Sequence, residues 1–197
     1  MAKTTWKPGN MIYPLPAVMV TCGTPETEEN IITIAWTGTI CTNPPMTYIS
    51  VRPERHSYHM IKEQGEFIIN LTTTELAKAT DFCGVRSGEK VDKFQEMHLT
   101  KGYGEVTKAP LIVESPVNIE CKVERIEELG SHHMFIAKVV NVLVDDTYME
   151  ETGRFALEKS NPLVYSHGGY FETGKQIGTF GYSVKKKKRK KTNGKRN

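Results

Sequence analysis

Four short groups of residues have the types and spacing that binding chemistry needs. Thr37-Gly38-Thr39 is a row of small polar residues offering backbone N–H groups and hydroxyls, with a glycine where another group can approach the backbone closely. Arg55 and Ser57 stand at the start of an expected short helix, where free N–H groups and the helix dipole favour an anion. A flat heteroaromatic ring with a phosphate tail would suit this pair of features; a strand loop beside an ordinary helix cap is the alternative. Ser87-Gly88-Glu89-Lys90-Val91-Asp92-Lys93 is a turn leading into a short helix, with Lys90 or Lys93 able to meet a second side of a phosphate, or else two solvated lysines. Gly130-Ser131-His132-His133 places two histidines side by side at the start of a β-prone run. Strand neighbours point to opposite faces, so only one of them can face a site; a solvent-facing pair is the alternative.

The elements that must position these groups follow from pattern. Residues 30–36 are rich in β-branched and aromatic types and predict a strand, which 37–39 interrupt as a polar loop. Asn43-Pro44-Pro45 predicts an extended connection, and 47–51 a second strand that Pro53 ends. Ser57 is expected to cap a helix with Met60 and Ile61 inward and Gly65 as its stop, followed by a strand over 67–71. Residues 17–23 predict the first good strand, and 74–82 a helix capped by Thr74 and closed by Gly84. Two long β-prone runs, 116–126 and 134–144, are joined by a hairpin connection at 127–131. Long antiparallel ribbons after such a start suit a closed barrel with small helices at its rim.

The order Asn30…Thr33…Ala35-Trp36-Thr37, Pro44-Pro45, Ser50-Val51-Arg52-Pro53, Arg55, Ser57 and Gly65-Glu66-Phe67…Asn70-Leu71 resembles the flavin reductase-like family, flavoredoxin-type members in particular. The resemblance covers most of residues 10–183 and implies a mainly β fold, an FMN-binding split β-barrel with Greek-key topology and short flanking helices. It implies FMN as cofactor, held by Asn30, Trp36, Thr37, Gly38, Thr39, Arg55, His56, Ser57, Ser87, Lys90 and Lys93, with Arg55, Ser57 and Lys90 favoured as the phosphate anchors, and His132 as a catalytic residue. Ser131 departs from the aspartate of the family's Gly-Asp-His element. Tyr165 and Tyr170, in a segment resembling the family's closing element, would flank the ring or pack the core, and His167 would reach a partner subunit. A homodimer is also implied, with the N-terminal arm and the 165–170 segment as contributors.

The composition bounds the rest. The chain has 197 residues, enough for one domain with a real core, expected over 1–184. The segment 185–197 is a run of Lys and Arg without an acid, expected to be a disordered basic tail that leaves an acidic body. No apolar run approaches the roughly 20 residues of a bilayer span, and the first residues lack a signal-peptide core, so a cytoplasmic protein is expected. Cys22, Cys41, Cys83 and Cys121 show no Cys-x-x-Cys spacing, which argues against a metal site and for reduced thiols. A Gly-x-Gly-x-x-Gly fingerprint and a nucleophile elbow are both absent.

Three functions remain open at this point. The first is an oxidoreductase moving electrons through FMN from NAD(P)H or a redox protein. The second is a flavoredoxin-type electron carrier without a small-molecule substrate. The third is a binding module whose tail touches a polyanion.

Overall fold

The computed structural model describes residues 1–185; the basic run from 186 onward, and with it the expected disorder and polyanion contact of the tail, lies outside the described residues. In chain order the elements are β1 (Leu15–Pro16), β2 (Val18–Cys22), β3 (Asn30–Ile34), β4 (Thr37–Thr42), β5 (Pro45–Val51), α1 (His56–Gln64), β6 (Glu66–Asn70), α2 (Ala77–Val85), α3 (Lys93–Glu96), β7 (Lys101–Tyr103), β8 (Pro110–Ile112), β9 (Val117–Leu129), β10 (His132–Val144), β11 (Leu163–Ser166) and β12 (Gly169–Glu172).

Seven strands form one antiparallel sheet in the order β3-β2-β6-β9-β10-β5-β4. Its two edges are one continuous piece of chain. β3 ends at Ile34, Ala35 and Trp36 cross over, and β4 begins at Thr37, so the sheet curls into a split barrel. The crossing is fixed where the Ser50 N–H donates to the Trp36 carbonyl at 2.9 Å.

Alternation along the strands fills the interior. Val18, Val20, Ile32, Ile34, Ile49, Val51, Phe67, Phe135 and Ala137 meet inside the barrel, and Tyr58 and Ile61 of α1 close one end. β2 is buried on both faces, because Met19 points outward into a second cluster with Ile31, Leu76, Ala79, Cys83, Phe94 and Ile112 beneath α2 and α3. Three of the four cysteines are buried free thiols, and burial pushes Cys22 up to about 12 and Cys83 up to about 11. They act as small hydrophobes.

Four local expectations are corrected. Thr37-Gly38-Thr39 is not a loop but the start of β4, because ladder pairing with β5 (Thr37 opposite Ile49, Gly38 opposite Tyr48, Thr39 opposite Thr47) extends the chain. Pro45 begins β5 directly after the turn at Asn43-Pro44, so the two prolines belong to a hairpin rather than an extended connection. Ser57 does not cap α1; Arg55 takes that place, and the Ser57 hydroxyl accepts instead from the Asn30 side chain at 2.9 Å. Gly84 does not stop α2, which runs on to Val85; its missing side chain leaves room for Thr33, whose Cβ would lie 3.2 Å from an added methyl. Gly65 does end α1, in the left-handed conformation at φ 72° that favours glycine.

Asn70, the asparagine of a formal glycosylation sequon, is fully buried, where it donates to the Met19 carbonyl and accepts from the Ile112 N–H.

Candidate functional site

Two cavities adjoin on the outer face of the barrel where α2 meets β3 and β5. The first, about 280 Å³, is walled by Trp36, His132, Tyr165 and Tyr170, with Ala17, Thr33, Ile34, Ala35, Ser50, Asp81, Gly84 and Val85 completing it. Its aromatic rings support one another. Trp36 and His132 lie almost parallel at 14° with centroids 6.3 Å apart, and Tyr165 packs against Tyr170 edge to face at 5.7 Å. The second cavity, about 350 Å³, is lined by Arg52, Arg55, Arg86, His56 and Lys93 together with Asn30, Ser57, Ser87 and Gly88, and by one carboxylate, Glu54, which pairs with Arg52 at 3.0 Å. Val85 lines both. An aromatic slot therefore adjoins a cationic cavity across Val85.

Strand geometry sorts the two histidines. His133 turns inward, where its Nδ1 meets the Tyr58 hydroxyl at 2.8 Å. His132 turns outward into the aromatic cavity, with its Nδ1 2.9 Å from the Ser131 hydroxyl. Partial burial, then the nearby Arg52 guanidinium, push the His132 imidazole below its ordinary value, against a smaller upward pull from Glu54. The imidazole is therefore neutral at neutral pH. Burial and the neighbouring Asp81 carboxylate push the Tyr170 phenol up to about 12, so it too is uncharged.

The cationic end is built by parts distant in sequence. Asn30 begins β3, is buried, and holds Ser57 at the second position of α1. Gly88 packs on the same amide so closely that an added methyl would lie 2.3 Å from its oxygen. Arg55 donates to the Gly84 carbonyl, tying the start of α1 to the end of α2. His56 pairs with Glu28 at 2.7 Å. Lys93 is buried at the start of α3, with Nζ donating to the carbonyls of Ile31 (2.5 Å) and Cys83 (3.0 Å). Burial pushes its amine down to about 8, the positive Arg55 adding to the effect.

Of the expected residues, Asn30, Trp36, Arg55, His56, Ser57, Ser87, Lys93 and His132 line the two cavities. Thr37, Gly38, Thr39 and Lys90 line neither. The Thr37 N–H is already bonded to the Ala35 carbonyl at 3.1 Å, and its hydroxyl to the Tyr48 carbonyl at 2.6 Å. Lys90 closes the turn through its backbone, donating to Ser87, while its side chain is exposed. Arg52, Arg86, Ser50, Asp81 and Val85 are lining residues that sequence reasoning passed over. The signal for the arginines was available, since Arg52 and Arg86 flank the very segments read for phosphate binding.

A flavin reductase like domain pattern matches residues 10–174. The chain belongs to the flavin reductase like family. This flavin reductase like chain is similar to flavoredoxin of Desulfovibrio vulgaris (Miyazaki F), at 28% identity and TM-score 0.86 over 93% of this chain and 100% of that one. It is similar to flavoredoxin from Methanosarcina acetivorans at 27% identity and TM-score 0.84, over 94% and 100% of the two chains. A protein of Archaeoglobus fulgidus is 29% identical over 139 residues, 71% of this chain and 77% of its own length. A flavoprotein oxidoreductase function goes with this membership. Among the described residues no helix is long and apolar enough to cross a membrane.

Proposed function

We propose that the chain binds FMN across the two adjoining cavities and passes electrons through it between a reduced nicotinamide or redox-protein donor and an acceptor. The observation that carries this reading is the aromatic cavity sharing Val85 with a neighbouring cavity lined by three arginines and a lysine. The residues present fit that cofactor: flat walls for a planar ring at one end, cations and a serine hydroxyl for a phosphate at the other. The second cavity carries no aromatic residue besides His56. That favours a single phosphate over the adenine half of FAD, which would need its own flat slot.

When bound, FMN supplies the hydride and single-electron chemistry. The chain does the rest. Trp36, Tyr165 and Tyr170 exclude water from the ring, and the neutral His132 offers a proton-carrying nitrogen beside it without adding charge. Arg55, Ser57 and Lys93, with Asn30 positioning Ser57, hold the phosphate. A chain purified under mild conditions should release, on denaturation, a flavin that runs as FMN on anion exchange, and NADH or NADPH should bleach the bound flavin without oxygen. Release of FAD, or no flavin uptake on reconstitution, would refute the reading.

A second reading, an electron carrier without a small-molecule substrate, is favoured by the similarity to two flavoredoxins. Anaerobic NADH and NADPH that leave the flavin oxidised, while a reduced redox protein bleaches it, would select this reading. A homodimer belongs to the proposal as well. Trp6, Met11 and Ile12 in the N-terminal arm and Ile177 and Phe180 after β12 are large apolar side chains left exposed. Light scattering of the flavin-loaded protein should give twice the chain mass. A cytoplasmic location is supported by the free thiols.

A further inference from the structure

A third cavity, about 350 Å³, lies behind Trp36, between the N-terminal arm and the hairpin of β4 and β5. It shares Trp36 and Ser50 with the aromatic cavity, so a molecule in it rests against a wall of the proposed ring site. Its volume falls in the range of small-molecule sites, ~300–1,000 Å³.

Its lining differs in kind from that of the cationic cavity. Ile12, Tyr13, Leu15 and Trp36 make an apolar wall, and no Lys, Arg, His, Asp or Glu takes part. The polar features include two hydroxyls, of Tyr48 and Ser50. Neither has a hydrogen-bond partner among the described residues, whereas Thr37 and Thr47 on the same hairpin both donate to backbone carbonyls. Gly38 explains how Tyr48 keeps its place. The two residues are opposite one another in the β4–β5 ladder, and a methyl on Gly38 would lie 3.3 Å from the Tyr48 ring and 3.5 Å from its hydroxyl. The absence of that methyl leaves the phenol room.

We infer that this cavity binds a neutral, planar aromatic compound bearing a carbonyl oxygen, of the quinone class. An uncharged lining selects an uncharged ligand, since a charged one would lose its hydration without a partner. Flat aromatic and aliphatic walls select a flat apolar body. Two free hydroxyls with no acceptor of their own donate to a carbonyl oxygen. The inference names a ligand class beyond the proposed function, and the binding itself does not require FMN.

The test is calorimetric titration with 2,3-dimethyl-1,4-naphthoquinone, whose substituted ring carbons resist addition of the Cys41 thiol. It is carried out on flavin-free protein and on protein loaded with FMN. One equivalent should bind per chain in both. Tyr48→Phe should weaken binding about fivefold or more, the loss of one hydrogen bond. Ile12→Asp should abolish binding by charging the apolar wall, and Tyr48→Phe should leave FMN affinity unaltered. Absence of binding to the flavin-free protein would overturn the inference. So would binding that FMN displaces, which places the quinone in the ring cavity, or binding that both substitutions leave unchanged. If the protein takes up no FMN at all, the proposed function fails, while the flavin-free titration with the two variants still decides this cavity.

Discussion

Replacing Arg55 by alanine tests where the phosphate sits, and the structure sets both the size of the effect and its control. Arg55 lines the cationic cavity at the first residue before α1, and its guanidinium also donates to the Gly84 carbonyl. Arg55→Ala therefore removes a charge-assisted bond to phosphate, worth ~1.5–3 kcal/mol, and a tie between two helices. At ~1.4 kcal/mol per tenfold, the first loss alone weakens FMN binding on the order of ten- to a hundredfold. Riboflavin has the ring and the sugar chain but no phosphate, so its affinity reports the second loss alone. Fluorescence titration of flavin-free wild-type and Arg55→Ala protein with both flavins separates the two. FMN affinity should fall by that factor while riboflavin affinity changes by no more than about threefold. Equal losses for both flavins would mean that Arg55 acts only as a scaffold through Gly84. No loss for either would remove the phosphate from this cavity.

Further outcomes follow from the contacts of three residues. Gly88→Ala should displace the Asn30 side chain, since the new methyl would meet its amide oxygen at 2.3 Å; FMN affinity should fall at least tenfold with an unchanged far-ultraviolet circular dichroism spectrum. Lys93 in the flavin-free protein loses its proton near pH 8, so FMN affinity should decline above that pH by at most about tenfold per pH unit, and Lys93→Met should flatten the profile. Because its folded-state value lies below the ordinary lysine value, its protonation opposes folding, and the flavin-free protein should gain stability from about pH 8 upward to the unfolded value of 10.5. Glu120 is fully buried and accepts from Thr107 N (2.7 Å), Thr107 Oγ1 (2.9 Å), Val106 N (3.0 Å) and Asn141 Nδ2 (2.6 Å), so Glu120→Leu should cost about 3 kcal/mol or more in urea unfolding. Burial alone would raise the Glu120 carboxyl, but those hydrogen bonds together hold it below its ordinary value; its contribution should be complete above about pH 4.5 and be lost as the pH falls below that.

Much of the fold was legible because its signals are local. Gly65 stops α1 by the left-handed conformation that glycine takes without penalty, and β-branched runs mark β2, β3, β9 and β10. The misread places are those where a tertiary partner outbids a local preference. Ser57 has a capping side chain, yet Asn30, 27 residues earlier, takes its hydroxyl. Gly84 looks like a helix end, yet Thr33 of the adjacent strand needs the space. Thr37-Gly38-Thr39 looks like a loop in isolation and becomes a strand only because β5 lies beside it.

The candidate site divides in the same way. Alternation dictates that only one of His132 and His133 faces outward, but the choice is made by the Tyr58 hydroxyl, which draws His133 inside. The resemblance favours Lys90 over Lys93 as the phosphate ligand, but the turn at Ser87 leaves the Lys90 side chain exposed, and it is the buried Lys93 that lines the cationic cavity. The joint between the two cavities at Val85 depends on α2 running past Gly84, which nothing in the local sequence announces.

The most direct test of the central claim is a crystal structure of the protein loaded with FMN. The account predicts the isoalloxazine ring among Trp36, His132, Tyr165 and Tyr170, and the phosphate within hydrogen-bond distance, about 3 Å, of Arg55 and Ser57. A phosphate outside the cationic cavity, or a ring seated behind Trp36 against Ile12 and Leu15, would contradict it.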